Sequence, residues 1–294
     1  MRRIGDSSAA LALAACLVAL PVRSAGLPPV ADPPTNEYHP GKFVWIDLVT
    51  PDVAAAQRFY GELFGWTFRE LGRGEKGYTL ALLGEAPVAG LVQRPPAPDQ
   101  ARQARWIAYA SVPDVGRAVG KVIAGGGESL IPAREVPGRG TMALIVDPDG
   151  APFGLIHAAG GDPPDYLPET GDWAWALYQS PDARRAAAFY QDLAGYDVLP
   201  DDRFPGTPDF LLATGGSIRA SLVEIPPERG ALRPDWLFFL RVRDVDAMLA
   251  RVTALGGRVI MAPGAAAGPR QIAVVADPAG APFGLLEWNP DGQH

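Results

Sequence analysis

The sequence predicts an α+β fold in which one module, with the element order β-α-β-β-β, occurs four times. Two observations carry this prediction. Most of the chain is an internal repeat at an offset of 130 residues, and each copy contains the same order of strand and helix patterns twice. A chain of 294 residues, 48% of them apolar, is long enough to fold into two such domains.

The repeat keeps its offset without gaps. Trp45 matches Trp175, Trp106 matches Trp236, and the run 147–156 recurs with two changes. Proline-rich and glycine-rich segments that do not repeat mark the domain boundaries. The predicted organisation is a signal peptide at 1–25, a Pro-rich tether at 26–40, a first domain at 41–158, a linker at 159–170 and a second domain at 171–289.

Local signals define the elements of each module. Residues 43–49 alternate over a strand length and form one wholly apolar face. Thr50 is predicted to cap the next helix with Pro51 at its first position, and Gly65 suits its C-terminal cap. The closing hairpin has a turn at 147–150 with Asp first, Pro second and Gly fourth, as a type I turn favours.

Residues 1–25 have the pattern of a signal peptide, with Arg2-Arg3 followed by an uncharged run from Ser7 to Val22. This run is shorter than the ~20 apolar residues that cross a bilayer. We therefore expect an exported, periplasmic or secreted protein without a transmembrane span. Cys16, the one cysteine, follows a pattern similar to a bacterial lipoprotein box, so a lipid anchor at Cys16 is the alternative.

Charge excludes one class of partner. The net charge is −7, and the Lys and Arg residues are scattered along the chain, so nucleic acid has no basic surface to bind. We expect a small organic ligand instead. The tandem copies predict a monomer that is an internal pseudo-dimer.

The helix motif Phe-Tyr-x-x-Leu-x-Gly at 59–65 and the hairpin motif Asp-Pro-x-Gly at 147–150 resemble the vicinal oxygen chelate superfamily. This superfamily is also called the glyoxalase, bleomycin-resistance and dioxygenase superfamily, and the tandem-domain glyoxalase-like branch is the most similar. The resemblance covers both copies. It implies that each pair of modules curls an eight-stranded sheet into an open, cup-shaped barrel around a small-molecule site.

The resemblance also implies three metal-ligand positions for each copy, normally His, Gln or Glu. Carried over to this sequence, they fall on Trp45, Ile107 and Gly154 in copy one. In copy two they fall on Trp175, Leu237 and Gly284. None of these side chains can coordinate a metal ion, so we expect neither a metal nor a cofactor.

Asp47 is the candidate catalytic residue or ligand anchor, because strand alternation puts its carboxylate on the same face as Trp45. Pairing with an arginine or contact with water at the rim is the alternative. Tyr109 is either a donor to a ligand or part of the core, and Gly138-Arg139-Gly140 is either an anion site formed by backbone amides or a plain loop. The predicted ligand-binding residues are Trp45, Asp47, Ile107, Tyr109, Trp175, Leu237 and Phe239. In copy two, Leu177 and Phe239 replace Asp47 and Tyr109, so its members form either an apolar pocket or a packed core.

Three functions remain open. The first is a metal-independent binding protein that resembles the drug-sequestering branch of the superfamily. The second is an enzyme of lyase, isomerase or dioxygenase type, which uses Asp47 as a base or displaced metal ligands such as Asp47 and His157. The third is an interaction module whose cups are filled by side chains.

Overall fold

A computed structural model describes residues 26–72, 77–95, 104–201, 209–226, 233–264 and 271–288. The predictions for residues 1–25, including the signal peptide and the Cys16 anchor, lie outside the described residues. Within the described ranges, no helix is long and apolar enough to cross a membrane.

Copy one contains eight strands and two helices among the described residues. In chain order they are β1 Phe43–Thr50, α1 Val53–Phe64, β2 Thr67–Leu71, β3 Tyr78–Leu83, β4 Ala86–Gln93, β5 Arg105–Ser111, α2 Val115–Ala124, β6 Glu128–Val136, β7 Gly140–Val146 and β8 Pro152–Ala158. The βαβββ order therefore occurs twice, as the sequence predicts.

Copy two repeats this order. Its elements are β9 Trp173–Ser180, α3 Ala183–Ala194, β10 Asp197–Pro200, β11 Phe210–Thr214, β12 Ser217–Glu224, β13 Asp235–Val242, α4 Val245–Ala254, β14 Arg258–Met261, β15 Ile272–Ala276 and β16 Pro282–Glu287.

Each copy forms one mixed eight-stranded sheet. The strand order is β2-β3-β4-β1-β5-β8-β7-β6 in copy one and β10-β11-β12-β9-β13-β16-β15-β14 in copy two. The pairs β1–β4 and β5–β8 are parallel, and the hairpin pairs within each module are antiparallel. Each sheet is open, because β2 and β6, or β10 and β14, are edge strands. These two open sheets confirm the predicted α+β fold of tandem paired modules.

The helix caps differ from the prediction by two residues at one end. Asp52, not Thr50, is the N-cap of α1, and its carboxylate accepts a hydrogen bond from Ala55 N at 2.8 Å. Pro51 therefore precedes the helix. A carboxylate accepts this bond more readily than a hydroxyl and also favours the positive end of the helix dipole. The predicted C-cap is confirmed, since Gly65 has a φ of 76° and its N–H donates to Gly61 O.

The repeat is not free of gaps, contrary to the prediction. Leu48 in β1 pairs with Leu91, whereas its counterpart Tyr178, 130 residues later, pairs with Leu222. Leu91 and Leu222 are 131 residues apart, so the strands β11 and β12 carry one inserted residue relative to β3 and β4. The identical landmarks on either side conceal this insertion.

The chain divides into two compact units that each combine modules from both copies. Unit I consists of the described residues up to 45, residues 108–165 and residues 176–236; unit II consists of residues 46–107, residues 166–175 and the described residues from 237 onward. Each unit therefore has one module from the first domain and one from the second.

The family motifs build the core of unit I. Asp147, at the first position of the β7–β8 turn, accepts hydrogen bonds from the hydroxyls of Tyr178 and Tyr190, the latter at 2.7 Å. Trp236 Nε1 donates to the Tyr190 hydroxyl at 2.8 Å. Asp147 is 3% exposed, and its other oxygen accepts from the backbone N–H of Ala151. Burial raises the pKa of Asp147 above its ordinary value, although the hydrogen bonds oppose this effect.

Unit II repeats the network with weaker geometry. The Tyr60 hydroxyl donates to Asp277 at 3.2 Å, and Trp106 Nε1 donates to Tyr60 at 3.1 Å. Each of these residues lies 130 positions from its counterpart in unit I. Leu48 occupies the position that corresponds to Tyr178, so Asp277 lacks the second tyrosine hydroxyl. The Phe-Tyr and Asp-Pro motifs are therefore structural, because they join modules from different copies.

Burial raises the pKa of Asp277 to about 6, while hydrogen bonds from backbone N–H groups and Tyr60 limit the rise. A carboxyl group whose pKa is higher in the folded state stabilises that state at low pH and loses this contribution as the pH passes its folded pKa.

We therefore expect the difference in free energy of unfolding, wild type minus Asp277→Asn, to fall by about 3 kcal/mol between pH 4 and pH 7. The amide does not titrate, so it serves as the reference. Urea denaturation at both pH values measures this difference, and parallel pH dependence of the two proteins would contradict the assignment.

The tether and the linker are hydrogen-bonded to each other within unit I. Asn36 N donates to Gly160 O at 2.8 Å, and Asp162 N donates to Glu37 O at 2.7 Å. The Asp162 carboxylate accepts from His39 N at 2.7 Å. These bonds fix residues 36–39 against residues 160–162, so both segments are part of the folded unit.

One ion-pair cluster in unit I connects the linker to two strands. The carboxylate of Asp165 accepts from Arg219 Nη1 at 2.6 Å and lies 2.8 Å from Lys42 Nζ. The hydrogen bond from Arg219, assisted by Lys42, holds the pKa of Asp165 well below its usual range. The side chain of Arg219 is only 7% exposed, so this buried cation has a defined partner.

Candidate functional site

The third metal-ligand position of copy one is covered by an aromatic ring. Gly154 in β8 is paired with Tyr109 in β5. A Cβ atom at residue 154 would lie 2.0 Å from Cδ1 of Tyr109. The ring thus lies flat on the glycine, and any side chain there, including histidine or glutamate, would displace it.

Copy two has the same arrangement in unit II. Gly284 is paired with Phe239, and a Cβ at residue 284 would lie 2.0 Å from Cδ1 of Phe239. The glycine at the ligand position therefore has a physical reason in both copies: it makes room for the ring opposite. The predicted pocket residue Phe239 is 3% exposed and packs in this way as part of the core.

The other ligand positions are also filled by side chains without donor atoms for a metal. Ile107 is 1% exposed and Leu237 is 7% exposed, while Trp175 is half-buried. Among the described residues, no three His, Cys, Asp or Glu side chains lie close enough together to hold a metal ion. The residues present at these positions therefore do not fit the metal centre that the fold implies.

Asp47 is buried and hydrogen-bonded to a tyrosine, not to an arginine or to water at a rim. The Tyr78 hydroxyl donates to Asp47 Oδ1 at 2.6 Å, and Asp47 is 5% exposed. Gly90 makes room for this pair, since a Cβ there would lie 1.9 Å from the Tyr78 hydroxyl and 2.2 Å from Asp47 Oδ1. Asp47, Tyr78 and Gly90 all belong to unit II, and we call them the acid–phenol cluster.

The acid–phenol cluster is specific to copy one. Strand register places Leu177 at the position of Asp47 and, with the one-residue insertion, Ser221 at the position of Gly90. Copy two thus lacks the carboxylate and fills the cleared space with a side chain. The two copies share a fold but not this polar feature.

His157, the alternative metal ligand, has a packing role in unit I. Its ring stacks on Tyr38 with centroids 4.5 Å apart and planes at 10°. Its Nδ1 lies 3.2 Å from Val112 O. These contacts connect the end of β8 to the tether and account for the position of the ring without a metal.

Sequence reasoning missed the side chain of Arg139. This residue lies in the turn between β6 and β7, and its guanidinium carbon is 4.0 Å from the centroid of the Trp45 ring. Arg139 is 0% exposed. None of its nitrogens, Nε, Nη1 or Nη2, has a hydrogen-bond acceptor in the structure that the described residues form.

Energetically, Arg139 is the least compensated charge in unit I. A cation over an indole gains about 2 kcal/mol or more when desolvated. The effective penalty for burying an ion is several kcal/mol, and arginine remains protonated. The predicted anion site at 138–140 thus has a side-chain cation, which the sequence could not reveal because arginines in turns usually face solvent.

The predicted site residues are divided between the two units. Trp45 and Tyr109 belong to unit I, whereas Asp47, Ile107, Trp175, Leu237 and Phe239 belong to unit II. In unit I, Tyr109 lines a cavity of about 10 Å³ together with Ile131, Arg134, Val136, Met142, Ala143 and Leu144. This volume is sufficient for roughly one water molecule and not for an organic ligand.

The fold and these sites define a tandem α+β protein of paired βαβββ modules whose metal-ligand positions are filled by apolar groups. Residues 42–155 match the Glyoxalase/Bleomycin resistance protein/Dioxygenase superfamily, and residues 175–286 match a glyoxalase-like domain. The chain belongs to this superfamily and contains two of its domains in tandem.

Relatives support this membership over most of the chain. The Mycobacterium bovis protein described as "Putative glyoxylase CFP32" is 34% identical over 262 residues, which cover 88% of this chain and 99% of that protein. The "Anthracycline biosynthesis protein DnrV" of Streptomyces peucetius is 30% identical over 264 residues, covering 86% and 95%.

A solved structure shows the same fold. The Mn(II)-bound glyoxalase from Novosphingobium aromaticivorans aligns with a TM-score of 0.55 and 16% identity, covering 85% of this chain and 82% of that chain. At this identity the similarity concerns the fold alone.

Proposed function

We propose that this protein is an exported, metal-independent binding protein for a small organic molecule. The single observation that carries the metal-independent part is the filling of the ligand positions, above all Gly154 beneath the Tyr109 ring. Export is supported by the signal-peptide pattern of residues 1–25, and the periplasm or the medium is the expected location.

The acid–phenol cluster supports a ligand contact in copy one. A buried carboxylate with a tyrosine partner still has an oxygen lone pair to offer, and buried polar groups of this kind orient ligands in many binding sites. Asp47 is therefore the proposed ligand anchor. The relative named for anthracycline biosynthesis supports flat aromatic compounds as the first class to test.

A thermal-shift screen tests this function. A ligand that binds only the folded protein, at about a hundred times its dissociation constant, adds about 2.7 kcal/mol of stability, or roughly 5–10 °C in Tm. We expect Asp47→Asn to weaken such a ligand at least about tenfold. Asp114→Asn is the matched control, because it removes an exposed charge from the same copy and retains a helix-capping side chain.

The absence of a shift with every compound would favour the interaction-module alternative. A binder with equal affinity for wild type and Asp47→Asn would keep the function but remove Asp47 from the site.

A metal-free enzyme is the second candidate, because the 2.6 Å bond between Asp47 and Tyr78 joins a base to a proton donor. Turnover of any ligand found in the screen, lost in Asp47→Asn and retained with chelator, would favour the enzyme over the binding protein.

A further inference from the structure

The feature that carries a further inference is the buried guanidinium of Arg139 in unit I. Its carbon lies 4.0 Å from the Trp45 ring centroid, its side chain is 0% exposed, and its three nitrogens have no acceptor in the structure. Arg219, the other buried arginine of this unit considered above, differs because Asp165 accepts its hydrogen bond at 2.6 Å.

An indole face attracts a cation but leaves the N–H groups in the plane of the guanidinium unsatisfied. These five N–H groups point outward in a fixed fork, whose geometry matches two oxygens of one carboxylate, sulfonate or phosphate. Buried charges in proteins are ordinarily paired. The missing partner of Arg139 is therefore an oxyanion by chemistry.

The backbone fixes Arg139 in this position. Its N–H donates to Val136 O at 2.9 Å, and its carbonyl accepts from Ala159 N at 2.9 Å. Gly138, with φ of +80°, packs so closely on the tether that a Cβ there would lie 2.1 Å from Leu27 O. The turn is held on both sides, so the guanidinium is in place before any ligand binds.

We propose that Arg139 and Trp45 form an anion-recognition site in copy one, for an organic molecule with an oxyanion beside a flat apolar body. This inference rests on the proposed binding function and specifies the class of ligand. Arg139 contacts the oxyanion with its N–H fork, and the position of Trp45 beside it supplies an aromatic wall.

Calorimetric titration with three probes of one shape tests the site. The probes are 2-naphthoate, naphthalene-2-sulfonate and the uncharged 2-naphthamide. We expect wild type to prefer the two anions over the amide by about 10- to 100-fold, the value of a charged hydrogen bond. Arg139→Met should lose this preference and bind all three at the affinity of the amide.

The stability of the unliganded variants provides a second test. Replacement of an uncompensated buried cation by methionine should leave Tm unchanged or raise it, whereas Arg219→Met should lower it by removing a satisfied ion pair. If Arg139→Met lowers Tm as much as Arg219→Met does, Arg139 is a structural residue and the proposal is wrong.

The remaining outcomes separate this inference from the proposed function. Equal binding of acid and amide by wild type overturns the anion site but keeps a binding protein. If no naphthalene probe binds, sulfate against chloride at equal ionic strength decides: saturable stabilisation of wild type alone supports the site, and equal responses of wild type and Arg139→Met overturn it.

Discussion

Asp147→Ala is expected to lower the free energy of unfolding by at least about 3 kcal/mol. The substitution removes the acceptor for the hydroxyls of Tyr178 and Tyr190 and for the backbone N–H of Ala151, all of them buried. A buried donor that loses its partner costs about 1–3 kcal/mol. Guanidinium denaturation followed by tryptophan fluorescence measures the loss.

The matched variant is Asp277→Ala at the corresponding position of copy two. Asp277 accepts from one tyrosine, at 3.2 Å, because Leu48 stands where Tyr178 would be. We expect its loss to be at least about 1 kcal/mol smaller. Equal losses, or a loss below about 1 kcal/mol for Asp147→Ala, would contradict the structural role of the Asp-Pro motif in joining the modules.

Gly154→Ala is expected to destabilise the protein by about 1–3 kcal/mol or more, because the new methyl group overlaps the ring of Tyr109. Substitution of the ring should relieve the overlap. In the double variant Tyr109→Ala/Gly154→Ala, the cost should therefore be clearly smaller than the sum of the single costs. Thermal and urea denaturation of the four proteins give the coupling energy.

Gly120→Ala is the matched control for this clash. Gly120 lies in α2, and a Cβ there would have no atom within 4 Å. Alanine in a helix is about 0.5–1 kcal/mol better than glycine, so this variant should be slightly more stable than wild type. Additive costs at 109 and 154 would mean that the ring does not cover the ligand position.

The sequence was sufficient for the fold because its local signals agree with one another. Recurrence at one offset, strand alternation, the Gly65 cap and the turn at 147–150 all specify the same module. The helix start was misplaced because Thr50 and Asp52 are both good capping residues, and only backbone geometry decides between them. The inserted residue in β11–β12 was hidden because strands tolerate it without losing their apolar pattern.

The exchange of modules between copies could not be predicted. An internal repeat specifies which segments fold alike but not which of them pack together. The signal was nevertheless present: Tyr60 and Asp277 belong to different copies, and their motifs recur at the family offset because each needs the other.

The candidate site was predicted in part. Alternation correctly indicated that Asp47 is buried away from the bulk solvent, but its partner Tyr78 lies 31 residues away on another strand. The lost metal ligands were readable from residue types alone. Arg139 was missed because the direction of a side chain in a turn depends on packing against a distant residue, here Trp45.

Metal analysis of the purified protein tests the central claim most directly, because an occupied metal centre requires donors that these positions lack. After purification without chelator, elemental mass spectrometry should find well under one equivalent of zinc, nickel, manganese or iron per chain, and EDTA should leave Tm unchanged. One tightly held ion per chain, with a Tm that falls on its removal, would contradict the account.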